Sequence, residues 1–240
     1  MIDTHAHLES VEGGAAAAIA QAAEAGVDRI LTIGREQAVD LAGEHPGVWA
    51  IVGWHPHDAS EADVAALRPL LTRPRVVALG EVGLDFYRDN APREHQRRVF
   101  AQQIDLANEV GLPLVIHTRD ADEETFPMLE RARVPVVLHC FSSPDRLAEA
   151  VSRGYMLSFA GNVTYPKAVE LQEAAARTPA ELLLAETDSP YLAPVPLRGR
   201  RNTPANVVHT LEFLAGLRGV DPGELGRQIE RNAARVFSLP

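Results

Sequence analysis

Met1-Ile2-Asp3-Thr4-His5-Ala6-His7-Leu8 opens the chain. Residues 1 to 7 read as a strand, and alternate side chains of a strand share a face, so His5 and His7 point the same way. A doubly wound open sheet would need a glycine-rich phosphate turn after an early strand, and this strand ends in His-Ala-His instead. A barrel of parallel strands suits it better, because there the strand ends converge on one face where polar side chains assemble a site.

The rest of the chain repeats the βα alternation that such a barrel needs. Short β-branched runs predict strands at Met1–His7, Arg29–Gly34, Val48–Trp54, Val76–Glu81, Leu112–His117, Val134–Cys140, Tyr155–Ala160 and Leu182–Asp188. Helices are predicted at Gly13–Ala25, Glu61–Leu71, Pro92–Val110, Asp122–Ala132, Pro144–Arg153, Tyr165–Ala176, Thr203–Leu217 and Pro222–Phe237. Pro92 stands in the first turn of the third of these, Gly111 stops it, and Phe100, Ile104 and Ala107 form its apolar stripe. No repeat or linker divides the chain, so residues 1–240 are expected to form one α/β domain, a (β/α)8 TIM barrel.

Ligand-type side chains recur where these strands end. Val77, Leu79 and Glu81 share a face, as do Val115 and His117, Val137 and His139, and Leu184, Glu186 and Asp188. A lone histidine at a strand end is ordinarily a satisfied polar residue, but five strand ends carrying the pattern together form a constellation. His5, His7, Glu81, His117, His139 and Asp188 are therefore the candidate metal ligands. Imidazole favours zinc-like ions and carboxylate tolerates magnesium or manganese, so the set suits one or two divalent cations, and the expected cofactor is two, Zn, Mg or Mn. Two cations about 3.5–4 Å apart, bridged by a carboxylate and a water, activate that water for attack on a phosphoryl or acyl centre. Glu186 lies one layer deeper and reads as a supporting carboxylate, as do Asp3 and Asp85. Cys140 is expected to face away from His139 as a small buried hydrophobe.

Composition bounds the function. At 46% hydrophobic and 23% charged residues, the chain is of ordinary globular type. A formal charge of −10 argues against sequence-blind coating of duplex nucleic acid, although a local basic patch beside a metal site stays compatible with it. The single cysteine excludes an internal disulfide and fits a reducing compartment. Neither a basic-then-apolar leader nor an apolar run of roughly 18 residues is present, so a cytoplasmic protein without a membrane segment is expected.

Met1-Ile-Asp-Thr-His-Ala-His-Leu8, Gly80-Glu-Val-Gly-Leu-Asp-Phe-Tyr87, His139-Cys-Phe-Ser-Ser143 and Glu186-Thr-Asp-Ser-Pro-Tyr-Leu-Ala-Pro194 form a set of blocks. Together they resemble the TatD family of metal-dependent deoxyribonucleases, within the amidohydrolase-like barrels. Gly53-Trp-His-Pro-His57, His117-Thr-Arg-Asp-Ala121 and Arg198-Gly-Arg-Arg-Asn202 match further blocks in unbroken order. The resemblance implies the same six ligands with Glu81 bridging, and hydrolysis of DNA phosphodiesters as a 3′–5′ exonuclease or an endonuclease. One departure is Ser142-Ser143, where a glycine often follows the first serine.

Catalytic roles are expected at Asp188, as metal ligand and proton acceptor from the attacking water, at Glu81, and at His55, near the scissile phosphate. His57 is the weaker choice, because Pro56 breaks the alternation between the two. Arg198, Arg200 and Arg201 follow the last strand, where barrels commonly hold phosphate, and Arg88 and Arg119 lie just past other strand ends. Tyr87, Phe86 and Tyr191 are candidates to stack on unpaired bases. The expected partner is DNA, single-stranded or at 3′ ends, with no obligate protein partner. Two alternatives remain: hydrolysis of a non-DNA ester or amide, such as an aminoacyl-tRNA ester, and a non-catalytic metal-stabilised binding protein. Six ligands argue against the last, since a structural site closes with four.

Overall fold

The β-branched runs form eight parallel strands: β1 (Ile2–Ala6), β2 (Arg29–Gly34), β3 (Val48–Val52), β4 (Val76–Asp85), β5 (Leu114–Arg119), β6 (Val136–Leu138), β7 (Met156–Phe159) and β8 (Leu183–Ala185). In the computed structural model, which describes Met1 to Pro240, they make one sheet in the order β1-β2-β3-β4-β5-β6-β7-β8. Because β8 is only three residues long, the segment after it closes the ring. The Asp188 N–H donates to His5 O at 2.9 Å, the His7 N–H to Ser189 O at 2.8 Å, and Ala6 bridges Ser189. This is the expected (β/α)8 barrel.

Nine α-helices surround it: α1 (Ala15–Glu24), α2 (Glu36–Glu44), α3 (Arg68–Leu71), α4 (Arg93–Val110), α5 (Asp122–Met128), α6 (Leu147–Ser152), α7 (Val169–Arg177), α8 (Val207–Arg218) and α9 (Pro222–Phe237). Sequence periodicity missed α2. It is nine residues long, and only Ala38, Val39 and Ala42 are buried, too brief a stripe to stand out. Other predicted helices begin or end in single 3-10 turns. Residues 61–63 of the helix predicted at 61–71 are not helical, because the Asp63 carboxylate accepts the N–H groups of Ala65 and Ala66 and starts the turn there.

Helix α4 does more than cover the sheet. Its C-terminus is capped by Gly111 in the left-handed conformation (φ 73°), which a residue without Cβ adopts freely. Two fully buried glutamines on it complete the backbone pairing of the strand ends. Gln103 accepts from the Trp54 N–H at 2.8 Å and donates to Trp54 O at 3.0 Å. Gln96 does the same for Asp85, at 2.8 and 3.1 Å, and also donates to Ala91 O. The C-terminal ends of β3 and β4 are thus tied to one rigid helix. No helix is long and apolar enough to cross a membrane.

Candidate metal centre

Strand β4 runs four residues past Glu81, where the sequence predicts its end. The register with β5 slips between Gly80 and Val82, so Glu81 is the extra residue of a bulge. Bulges re-aim a side chain, and this one delivers a carboxylate, 4% exposed, to the middle of the histidine cluster. One oxygen, Oε2, lies 3.4 Å from His5 Nε2 and 3.7 Å from His7 Nε2. The other, Oε1, lies 2.6 Å from His117 Nδ1, 3.1 Å from His139 Nε2 and 3.6 Å from His55 Nε2. Asp188 Oδ1 completes the first group, 3.5 Å from His7 Nε2 and 3.9 Å from His5 Nε2. All six residues singled out in the sequence are therefore together, arranged as two groups that share Glu81.

Several features fit this arrangement to cations. Neither ring nitrogen of the fully buried His5 has a hydrogen-bond partner, which is costly for an imidazole unless something else occupies one of them. His139 turns Nε2 to Glu81 and sets Nδ1 2.8 Å from Glu186 Oε1. His117 turns Nδ1 to Glu81 and sets Nε2 3.2 Å from Asp85 Oδ2. A carboxylate behind an imidazole is the arrangement that orients metal-ligating histidines. The triplets His5–His7–Glu81, His5–His139–Asp188 and His55–Glu81–His117 are each compact enough to hold an ion.

Electrostatics sharpens the roles. Burial opposes charge on Glu81, yet the neighbouring histidines, His139 and His55 foremost, hold its carboxyl well below the usual range. Burial likewise opposes ionisation of Asp188, and His7, His139 and His5 overcome it, so its pKa is lowered. His55 is shifted downward by its burial and stays a neutral imidazole. His5 is lowered by burial and by the charge of His139.

Three further carboxylates, Glu186, Asp85 and Asp3, lie around the cluster. Glu186, 1% exposed, also accepts the Cys140 N–H at 2.9 Å. Asp85 lies 2.8 Å from His57 Nε2 as well as facing His117, so His57 is held by a carboxylate while His55 faces Glu81. Asp3 accepts the N–H and hydroxyl of Thr187, linking β1 to the segment after β8, and its burial raises its pKa to about 8. Cys140 departs from expectation. It is half-buried and borders the cleft, because the chain takes a left-handed turn there (φ 44°) just after β6 ends at Leu138.

A cleft of about 1000 Å³ opens above this cluster. Arg88 and Arg119 border it, but Arg198, Arg200 and Arg201 do not. Arg198 stacks on Tyr165, 4.4 Å from the ring centre, and Arg201 faces Glu12. The block that contains them contributes differently. Asn202 is fully buried and donates to Thr187 O and Tyr191 O, at 2.9 and 2.7 Å, bracing the loop that carries Asp188. Arg35 borders the cleft and was not singled out, although it directly follows β2 as Arg88 and Arg119 follow or end their strands. Its guanidinium lies over the Trp54 ring at 4.0 Å and 3.6 Å from Asp58.

The family model described as TatD related DNase matches residues 2–238. The chain belongs to the TatD-related DNase family. Among its relatives is a metal-dependent hydrolase of Bacillus subtilis, YabD, 36% identical over 253 residues that span 100% of this chain and 99% of that protein. A 3′-5′ ssDNA/RNA exonuclease TatD of Erwinia billingiae is 38% identical over 240 residues, 92% of each chain. The crystal structure of YJJV, a TatD homologue of Escherichia coli, superposes with a TM-score of 0.92 at 28% identity, covering 100% of this chain and 98% of that one. A phosphotriesterase homology protein of Escherichia coli, at 16% identity and a TM-score of 0.69 over 98% of each chain, shares the fold. The names of the TatD relatives accord with the metal-dependent hydrolase and nuclease expected from the sequence.

In this TatD-family site, Glu186 tests the fit to metal without touching the cluster's centre. Glu186→Gln keeps the shape and one acceptor but removes the charge behind His139. It is expected to weaken metal binding by roughly 10- to 100-fold. Titration of the chelated protein with Mn2+ measures this, and an unchanged affinity would show that His139 needs no such partner.

Proposed function

We propose that this TatD-family hydrolase cleaves phosphodiester bonds at single-stranded ends of DNA, using two divalent cations drawn from Zn, Mg and Mn. The observation that carries the reading is the division of Glu81: one oxygen faces His5 and His7, with Asp188 alongside, and the other faces His117 and His139. His5, His7 and Asp188 with Oε2 would hold one cation, and His117 and His139 with Oε1 the second. When bound, such a pair supplies Lewis-acid activation of water and neutralises charge on the phosphoryl oxygens.

The protein's own groups do the rest. Asp188, kept ionised by its histidine neighbours, takes the proton of the attacking water on its carboxylate. His55, kept neutral by burial, donates its N–H to an oxygen of the scissile phosphate. Arg88 and Arg119, at the cleft margin, pair with phosphate oxygens. Arg198, Arg200 and Arg201, outside the cleft, meet only the more distant phosphates of a longer strand. Residues 1–240 act as one catalytic unit, and the one free thiol supports a cytoplasmic place of action.

Metal-depleted protein restored with Mg2+, Mn2+ or Zn2+ tests the reading on 3′-labelled single-stranded DNA and on aminoacylated tRNA. The expected result is metal-dependent shortening of the DNA, with about two ions bound per chain at full activity. Activity confined to the aminoacyl ester would overturn the DNA assignment and leave the metal centre standing.

A further inference from the structure

Tyr87 and Tyr191 are the only exposed aromatic side chains of this protein, each 58% exposed, whereas its other Phe, Trp and Tyr side chains are at least partly covered. Tyr191 borders the cleft, and the Tyr87 ring lies against Arg88 and Arg119, which border it. Tyr87 follows Asp85 at the end of β4, and Tyr191 lines the cleft just after Asp188, beyond β8. In an eight-stranded ring, β4 and β8 are half a turn apart, so the two rings occupy opposite sides of the mouth with Glu81 and its histidines between them.

Each is held by the site itself. The Tyr87 N–H donates to Asp85 Oδ1 at 3.0 Å, and the carboxylate that receives it also faces His57 and His117. The Tyr191 N–H donates to Asp188 O at 2.8 Å, its carbonyl accepts from buried Asn202, and its ring meets His7 edge-on with centroids 6.0 Å apart. Backbones pinned to the catalytic cluster leave both rings at a set place relative to the reacting bond. The charge is one-sided. Arg119 and Arg88 lie 4.0 and 5.7 Å from the Tyr87 ring centre, while no such cation lies over Tyr191. Phe86, the third aromatic candidate, is partly buried and packs against the hydrophobic core, so it offers no open face to a base.

We propose that Tyr87 and Tyr191 are paired stacking platforms for the two unpaired bases that flank the cleaved bond, with Arg88 and Arg119 taking the phosphate on the Tyr87 side. This rests on the nuclease reading and deepens it. A base can stack on a protein ring only when it has left its own duplex stack, so the two platforms select a single strand with a nucleotide on each side of the cut.

The test combines side-chain and base removal. Tyr87→Ala and Tyr191→Ala are each expected to weaken binding of a phosphorothioate-linked, fluorescein-labelled pentathymidylate by roughly 10- to 100-fold, with Tyr→Phe restoring it. On the metal-loaded protein, KM for 3′-labelled pentathymidylate should rise in parallel. An abasic residue at one of the two flanking positions should cost the wild type a similar factor and cost the matching alanine variant nothing further. Equal affinity in the alanine variants, or losses from base and side chain that multiply, would overturn the proposal. Binding that follows the expected pattern without any cleavage would uphold the platforms and strike the nuclease reading instead.

Discussion

Glu81→Gln is expected to lower kcat/KM on single-stranded DNA by about 1000-fold, a barrier increase of about 4 kcal/mol at 1.36 kcal/mol per tenfold change. Its two oxygens stand within 3.7 Å of His5, His7, His55, His117 and His139, one oxygen toward each group of ligands. An amide keeps the volume but presents an NH2 to one group and no negative charge to either. Elemental analysis should find the variant short of metal, and the deficit should be larger than for Glu186→Gln, which acts through His139 alone. A variant that binds two ions and retains a rate within tenfold of the parent would rule out the bridging role.

The second large effect lies two residues away, in the backbone. Gly83→Ala is expected to destabilise the fold by about 3 kcal/mol or more, read as a fall in Tm of about 6–12 °C. Gly83 has φ of 142°, outside the range that residues with a Cβ readily adopt, and pairs with His117 across β4 and β5. A Cβ built there would lie 1.9 Å from the His117 carbonyl oxygen, and that neighbour is backbone, which cannot rotate aside. Relief must come from parting the two strands, which moves His117 from Glu81 and Asp85 from His57. Activity should therefore fall further than the loss of folded protein accounts for, measured well below Tm. A Tm within 2 °C of the parent's would show that the strands can separate cheaply at this point.

Glu81 and Gly83 also mark where sequence reading stops. Both stand in Gly80-Glu-Val-Gly-Leu-Asp-Phe-Tyr87, a block that resembles the family's and overlaps the predicted strand Val76–Glu81 only at its first two residues. Period-two alternation placed Glu81 on the inner face at the strand's end. The folded chain instead continues to Asp85, with a register slip at Glu81. A slip of one residue reverses which side chains face inward, and it arises from pairing with β5, a partner more than thirty residues along the chain. The arginines tell the same story at the surface. Arg88, Arg119, Arg198, Arg200 and Arg201 are all charged residues in loops after strands, and nothing in their local sequence distinguishes the two that border the cleft from the three that do not. Arg35, directly after the predicted strand Arg29–Gly34, likewise carries no local mark of its place at the cleft.

What the sequence by itself determined is the barrel and the membership of the cluster. Strand periodicity, helix stops and the placing of His5, His7, His117, His139 and Asp188 at or beside strand ends are local properties, set by each residue and its near neighbours. The family resemblance implied a bridging role for Glu81, but only tertiary structure decided which residues each carboxylate meets. It turned one oxygen of Glu81 to each histidine group, set Asp85 and Glu186 behind His117 and His139, and used Asn202 to brace the loop of Asp188 and Tyr191. These contacts join residues 11 to 76 positions apart, and their geometry depends on how strands register and loops close. Periodicity along one strand carries no information about the register of the next. That is why the ligands were legible as a set and their pairing was not.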